Sequence, residues 1–418
     1  MASNRVSQLS SHLDGNSTLS TRVGVKNSND VVIVSSVRTP ITKGRRGGLK
    51  DTKNEYLLGT VLKAVVDRVN LDPRLVQDIV VGNVLPPLGG ANLARMAMLY
   101  AGFPEEAGVM TCNRQCASGL QAVSTIVSAI REGTIDIGIG AGVENMTIYN
   151  ARSDFIKPDE YHPDFLNNQN IADCLIPMGI TSENVAMDFN ITREEQDAFA
   201  AMSHQKATVA QNNGYFDQEI VPIKTQIIEK DGTAKEILVS KDDGIRSATT
   251  LAGLSKLKPF FKKDGSTTAG NASQVSDGAA AVLLMKRSRA LELNLPILGK
   301  FITSATVGVP PRVMGIGPAY AIPAALKKAN LNINDIDVFE INEAFASQAV
   351  YCVKKLNIDI NKVNPKGGAI AFGHPLGCTG ARQISTLLTE LKRTNKKLGL
   401  TSMCMGSGMG MCAIFESE

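Results

Sequence analysis

Two rhythms of apolar residues run along this chain. Short apolar runs, such as VVIVSSV from Val31, DIVVGNV from Asp78 and IDIGIGAG from Ile135, have the length and branched side chains of buried strands. Between them lie longer stretches in which apolar residues recur every three or four positions, as in EYLLGTVLKAVVDRV from Glu55 and GLQAVSTIVSAI from Gly119. That spacing predicts helices with one buried face. Strands and helices in alternation predict an α/β protein.

The second half of the chain then repeats the first. The segment from Gly119 can be laid without gaps over GARQISTLLTELKRTNKKLGLTSMC from Gly380, so that Ser124 and Thr125 meet Ser385 and Thr386, and Gly138 meets Gly399. LDPRLVQDIVVGN from Leu71 and LNINDIDVFEINE from Leu331 keep almost the same offset. Two separate segments sharing one spacing predict a duplicated domain. The stretch from about Tyr149 to Gly270 has no counterpart and reads as an insertion, suited to covering a substrate. The expected organisation is a polar leader over 1–30, a first half over 31–148 plus 271–292, an inserted loop domain over 149–270, and a second half over 293–418.

Composition narrows the function. A net charge of +4 over 418 residues is too small for the continuous basic stripe of a nucleic-acid binder. No apolar run approaches the ~18 residues that a membrane-spanning helix needs, so no stable membrane insertion is expected. The cluster KLKPFFKKDG, Lys256 to Gly265, reads either as a solvated loop or as a docking surface for a small polyanion. Seven cysteines, an odd number scattered over a long chain, argue for reduced thiols rather than a disulfide scaffold.

Among those thiols, the CNRQCASG stretch from Cys112 to Gly119 stands out. A zinc site needs a second close pair of ligands. Neither His374 with Cys378 nor Cys404 with Cys412 has that spacing, and MCMGSGMGMC reads better as a buried strand and a glycine turn, so no metal is expected. The pair is not CxxC, which argues against a catalytic disulfide. Cys116 reads as a nucleophile. Small residues follow it, and the helix entrance behind it favours thiolate over thiol. If the two copies superpose about a pseudo-two-fold axis, the helix entrances at Gly119 and Gly380 come together. His374, just upstream of Gly380, would then meet Cys116 as its base. Of the other three histidines, His12 lies in the leader, and His162 and His204 lie in the insertion.

NRQCASG (Asn113 to Gly119), NEAFA (Asn342 to Ala346), GGAIAFGHPLGCTG (Gly367 to Gly380) and CMGSGMG (Cys404 to Gly410) resemble the four signature blocks of the thiolases, in order and with the insertion in the expected place. The resemblance runs from about Val31 to the C-terminus. It implies the thiolase fold, two duplicated halves forming a layered αβαβα core with the inserted domain covering CoA. It also implies thiolytic cleavage of 3-ketoacyl-CoA to acetyl-CoA and a shortened acyl-CoA, with CoA as a substrate and no cofactor, in a homodimer.

By resemblance Cys116 takes the acyl group, His374 moves the thiol proton and activates CoA, and Cys404 handles the proton on the departing acetyl carbon. His374 with a water on Asn342 would form one oxyanion hole, and the N–H groups of Cys116 and Gly406 the other. Met178 and Ser273 resemble contacts to the pantetheine arm, and Arg246 one near the adenine and phosphate end. Glu343 reads either as orienting the site or as capping a helix. Pro177 and Gly253 stand where the short-chain biosynthetic branch carries histidine and serine, which points to the degradative branch. Arg5-Val6, five residues, then His12-Leu13 resembles the type-2 peroxisomal targeting signal, implying an import receptor as a partner. A condensing acetoacetyl-CoA thiolase is the alternative, because the chemistry is reversible. A ketoacyl synthase is disfavoured by the second cysteine block, and a non-catalytic acyl-CoA binder by the presence of all four blocks.

Overall fold

The computed structural model describes residues 23–149 and 161–418. The targeting motif at Arg5 to Leu13 lies outside the described residues. In chain order the strands are β1 (Val31–Arg38), β2 (Thr42–Lys43), β3 (Asp78–Gly82), β4 (Gly108–Cys112), β5 (Ile137–Asn145) and β6 (Ile223–Ile228). There follow β7 (Ala234–Val239), β8 (Ser276–Lys286), β9 (Gly299–Gly308), β10 (Val338–Ile341), β11 (Leu398–Met405) and β12 (Met409–Ser417). The longer helices are α1 (Asn54–Asp67), α2 (Ala91–Tyr100), α3 (Ser118–Glu132), α4 (Met178–Asp188), α5 (Arg193–Asn212), α6 (Gly317–Ala329), α7 (Ala346–Lys355) and α8 (Leu376–Arg393).

The strand order is β10-β11-β12-β9-β1-β8-β5-β3-β4, with β2 paired to β8. In the first half β3 and β5 are parallel, while β5 with β8 and β8 with β1 are antiparallel. The second half repeats that scheme: β10 and β11 are parallel, β11 with β12 and β12 with β9 antiparallel. The halves meet where β1 runs antiparallel to β9 over the pairs Val32–Lys300 and Ile33–Gly299. The β6–β7 hairpin forms a separate two-stranded sheet.

Alternation along the strands builds the layers. Along β8, Ala279, Ala281, Leu283 and Met285 pack outward with α1 and α2. Ala280, Val282 and Leu284 pack inward against α3 and α8. On β12, Met411, Ala413 and Phe415 face the same inner helices, while Cys412 and Ile414 face α6. Because both faces are covered, these strands are apolar at nearly every position. The result is helices, sheet, helices, sheet, helices.

The inner layer is unusually thin. A Cβ at Gly380 would lie 2.2 Å from the backbone nitrogen of Leu120, and one at Gly119 would lie 2.6 Å from the carbonyl of Gly377. Helices α3 and α8 therefore touch backbone to backbone. A Cβ at Gly142 would fall 2.0 Å from that same Gly377 carbonyl, so β5 presses on the pair as well.

The segment between β5 and β8 carries α4, α5 and the β6–β7 hairpin. Helix α5 opens with a capping box between Thr192 and Glu195. A buried ionic cluster fixes the segment to both halves. Arg38, at the end of β1, donates to Glu219 at 2.8 Å and to Asp242 at 2.7 Å. Lys366 of the second half reaches Glu219 at 3.3 Å, and Thr386 and Thr389 of α8 donate to the same carboxylate. All four charged groups are buried, where pairing is what makes charge tolerable.

Candidate active site

Cys116 sits on a tight turn between β4 and α3. Gln115, immediately before it, has a φ of 50°, a conformation that costs about 1–3 kcal/mol for a residue with a side chain. The turn is held by Ser118, whose hydroxyl accepts from Arg114 N–H at 2.9 Å and donates to the Gln115 carbonyl at 2.6 Å. Asn113 Oδ1 accepts from Gln115 N–H at 2.9 Å. The strained turn carries Cys116 clear of β4 and leaves it largely buried, with a small exposed fraction.

His374 sits at the matching position of the second half. Gly373 precedes it with a φ of 113°, and Pro375 caps α8. The ring is buried. Nδ1 lies 2.6 Å from Thr379 Oγ1, and that hydroxyl donates to the Pro375 carbonyl at 3.0 Å. The hydroxyl has one proton and gives it to the carbonyl, so it receives the Nδ1 proton and leaves Nε2 as the basic nitrogen. Asn342 Nδ2 lies 3.3 Å from Nε2. Asn342 Oδ1 is buried and has no partner among the described residues, which leaves an acceptor free for a water. Thr379 was not foreseen. Its position one helical turn beyond His374, inside the same block, was the available signal.

Cys404 lies on β11, opposite Gly410. It is buried with Met314, Ala344 and Phe345, with Met178 and Ala272 packed against them. The chain then turns through Gly406, and the backbone N–H groups of Gly406 and of Cys116 itself favour the ionised form of the Cys116 sulfur. A Cβ at Gly406 would meet only Gln115 and Met178 at 3.6 Å. The unliganded fold thus leaves room for a side chain there.

Protonation departs from the expected thiolate. Burial pushes the Cys116 thiol up to about 11, against the pull of the two N–H donors, and Glu144 nearby adds to the rise. Burial, then the charge of Arg382, pushes His374 down to about 3. Burial raises Cys404 well above its ordinary value, and any charge on Cys116 would raise it further. At rest the site holds neutral thiols and a neutral imidazole. Desolvation outweighs the helix entrance because N–H donors and a helix end offset only part of the cost of a buried charge.

Met178 opens α4 and its sulfur borders Gly406 and Gln115. Ser273 donates its N–H to Ala344 in the NEAFA block at 3.0 Å, and Gln274 accepts from His374 N–H at 3.2 Å. Arg246 stands apart: its side chain is exposed, and its N–H donates to His204 Nδ1 at 3.2 Å. Phe261, also missed, packs edge-on against Phe345 at 6.2 Å and lies over Gly179. The lysines around it are exposed, so KLKPFFKKDG is half solvated loop and half apolar wall. Glu343 does not cap α7. Buried, it accepts from Ser203 at 2.6 Å, Asn364 at 2.7 Å and Ile370 N–H at 3.1 Å, fixing the Asn342 loop to α5 and to the segment before His374. Among the described residues no group of three His, Cys, Asp or Glu side chains is arranged to hold a metal ion, and no helix is long and apolar enough to cross a membrane.

Two family models match the chain, the thiolase N-terminal domain over residues 31–288 and the thiolase C-terminal domain over 295–417. The peroxisomal 3-ketoacyl-CoA thiolase B of Rattus norvegicus is 59% identical over 388 residues, covering 93% of this chain and 91% of that protein. The dimeric peroxisomal thiolase of Saccharomyces cerevisiae superposes with a TM-score of 0.87 at 49% identity, covering 94% of this chain and 99% of that one. A second Saccharomyces cerevisiae structure, of peroxisomal 3-ketoacyl-CoA thiolase, is described as five-layered and built from two core domains of identical topology. It matches with a TM-score of 0.78 at 45% identity over 95% of this chain and 100% of that chain.

The neutral resting thiol has a readable consequence. Alkylation of Cys116 by iodoacetamide in the free protein, followed on its peptide by mass spectrometry, should rise about tenfold per pH unit between roughly pH 7 and 10. It should show no inflection near the ordinary histidine range, since His374 stays neutral throughout. A plateau reached by about pH 8 would show a stabilised thiolate and overturn this assignment.

Proposed function

Because this chain belongs to the thiolase family, we propose that Cys116, His374 and Cys404 carry out the thiolysis of fatty-acid β-oxidation on it. The chain is an acetyl-CoA C-acyltransferase that cleaves 3-ketoacyl-CoA with CoA. Cys116 sulfur attacks the C3 carbonyl while its proton passes to His374 Nε2. The C2–C3 bond breaks, its electron pair moves onto C2 as an enolate, and the Cys404 thiol protonates that carbon. Acetyl-CoA leaves, and the shortened acyl group stays on Cys116 as a thioester. The His374 imidazolium returns its proton to the Cys404 thiolate, which resets both groups. His374 then takes the proton of incoming CoA, whose sulfur attacks the thioester, and gives it to the departing Cys116 sulfur as the shortened acyl-CoA is released.

Charge arises on oxygen twice, and each time N–H donors are at hand. The N–H groups of Gly406 and Cys116 already favour negative charge at the nucleophile's sulfur, which suits a thioester oxyanion formed there. The partnerless Asn342 Oδ1 beside His374 suits a water that would serve the other oxygen. The observation that carries the reading is the backbone contact of α3 with α8, which follow Cys116 and His374, with Cys404 buried within electrostatic reach of Cys116. Met178, Ser273 and Phe261 line the approach for the pantetheine arm, and Arg246, exposed beyond them, suits the phosphates.

Peroxisomal residence is shared with the relatives, and an import receptor reading Arg5-Val6 and His12-Leu13 is the route we infer. A homodimer is supported by the dimeric relative and by the open sheet edge at β4, where Met110 is exposed, with Leu88 and Met96 exposed on the adjoining elements. An unpaired edge with apolar neighbours is a template for a second strand.

Cys116→Ala should abolish acyl-enzyme formation and turnover, whereas Cys404→Ser should still accept an acetyl group on Cys116 from acetyl-CoA yet fail to cleave acetoacetyl-CoA. Mass spectrometry of the labelled peptides reads both, and an acetyl group on Cys404 would reverse the roles. A fluorescent fusion of the first thirty residues should concentrate in peroxisomes and disperse with Arg5→Ala; a cytosolic parent fusion would sink the targeting signal. Sedimentation at micromolar concentration should give a dimer, and a monomer there would remove the proposed interface.

A further inference from the structure

One buried acid is left over by that mechanism. Glu144, near the end of β5, is fully buried and forms no ion pair with a described residue. Its acceptors are used entirely by backbone N–H groups. Oε2 takes Val84 N–H at 3.1 Å and Gly377 N–H at 3.0 Å, and Oε1 takes Leu85 N–H at 3.1 Å. Val84 and Leu85 belong to the loop leaving β3 in the first half, the half that carries Cys116. Gly377 lies in the first turn of α8 in the second half, just beyond His374 and Pro375. One carboxylate therefore spans the junction between the two halves at the level of the reacting groups. A carboxylate also suits the exposed N–H groups at a helix start.

We propose that Glu144 is a positioning residue for the reaction: it holds the turn bearing His374 against the half bearing Cys116. It does not touch substrate. It acts by fixing where Nε2 stands relative to the thiol, a distance that no single side chain within either half controls. Burial pushes Glu144 itself up to about 7, with Asp277 on β8 adding to the rise; when ionised, it opposes ionisation of Cys116 and of Cys378 on α8. Geometry and charge thus act in opposite senses. The carboxylate aligns the base while making the thiolate harder to form.

That opposition supplies the test, which rests on the thiolase reading. Turnover of acetoacetyl-CoA with CoA by the unaltered protein tests that reading alone, and the proposal is read only from ratios of variant to parent. Glu144→Gln keeps the shape but replaces one acceptor with a donor facing N–H groups. It should lower kcat about 10- to 100-fold, the scale of a small misplacement, with KM changed less than about twofold. At about pH 8 its Cys116 should be alkylated by iodoacetamide at least about twofold faster than the parent, because the opposing charge is gone. A loosened fold would also speed alkylation, because burial is what holds the thiol up, so folding of each variant is checked by its thermal transition and Glu144→Asp serves as the control that keeps the charge. Glu144→Asp keeps the charge but is too short to reach both halves, so it should lower kcat with alkylation near the parent's rate. If Glu144→Gln does not fold, Glu144→Asp decides alone. A kcat within about twofold of the parent in the folded variant, or slower alkylation in Glu144→Gln, overturns the proposal.

Discussion

The structure depends on a contact with no side chain in it. Helices α3 and α8 meet through Gly119, Gly377 and Gly380 so closely that any Cβ would strike backbone. Helices separated by ordinary side chains pack about 8–10 Å apart. Here the missing side chains let them come nearer, and their N-terminal ends come nearer with them. Those ends are where Cys116 and His374 are mounted. Sheets on either side press the pair together, with Gly82 and Gly142 giving way beneath it. Side chains cannot be added in this layer without forcing the halves apart, a change that costs about 1–3 kcal/mol even where a core can adjust.

A site built this deep must manage charge by withholding it. Thiol and imidazole are both held neutral at rest, and the pocket around Cys404 is walled by Met314, Phe345 and Ala344. Negative charge forms only when a substrate carbonyl arrives to share it, and the N–H groups of Cys116 and Gly406 already favour charge at that sulfur. Preorganised donors cost no rearrangement at that moment. The strained Gln115 serves the same end, since relaxation there would draw the sulfur back toward the strand.

Much of this was legible from residue spacing. The repeat seen at Gly119 and Gly380 reappears as matching parallel and antiparallel pairs in the two halves, because a duplicated pattern of buried strands can only be covered in the same way twice. The four blocks marked Cys116, His374, Asn342 and Cys404, since glycine and small residues crowd where backbone approaches a ligand. The balance of charge was not legible. A helix entrance argues for thiolate, but burial is a sum over distant segments that no local pattern reports. Two bracing residues were hidden for the same reason: Glu144 acts on partners distant in sequence, and Thr379 through a hydroxyl that ordinary helix pattern does not distinguish, whereas Glu343 was marked by its block and takes the orienting one of its two readings.

The ionic cluster around Arg38 bears on how the chain reaches this state. Its bonds to Glu219 and Asp242 close loops of 181 and 204 residues, so they form only once both the strand and the long segment after β5 are in hand. The entropy of closing so large a loop grows only slowly with length. An incorrect closure is penalised far more, because a buried carboxylate left without its guanidinium costs about 3–5 kcal/mol. A seating of the long segment that missed Arg38 would leave these acids buried without their cation, so the cluster favours the one register that satisfies Arg38, Lys366 and both acids.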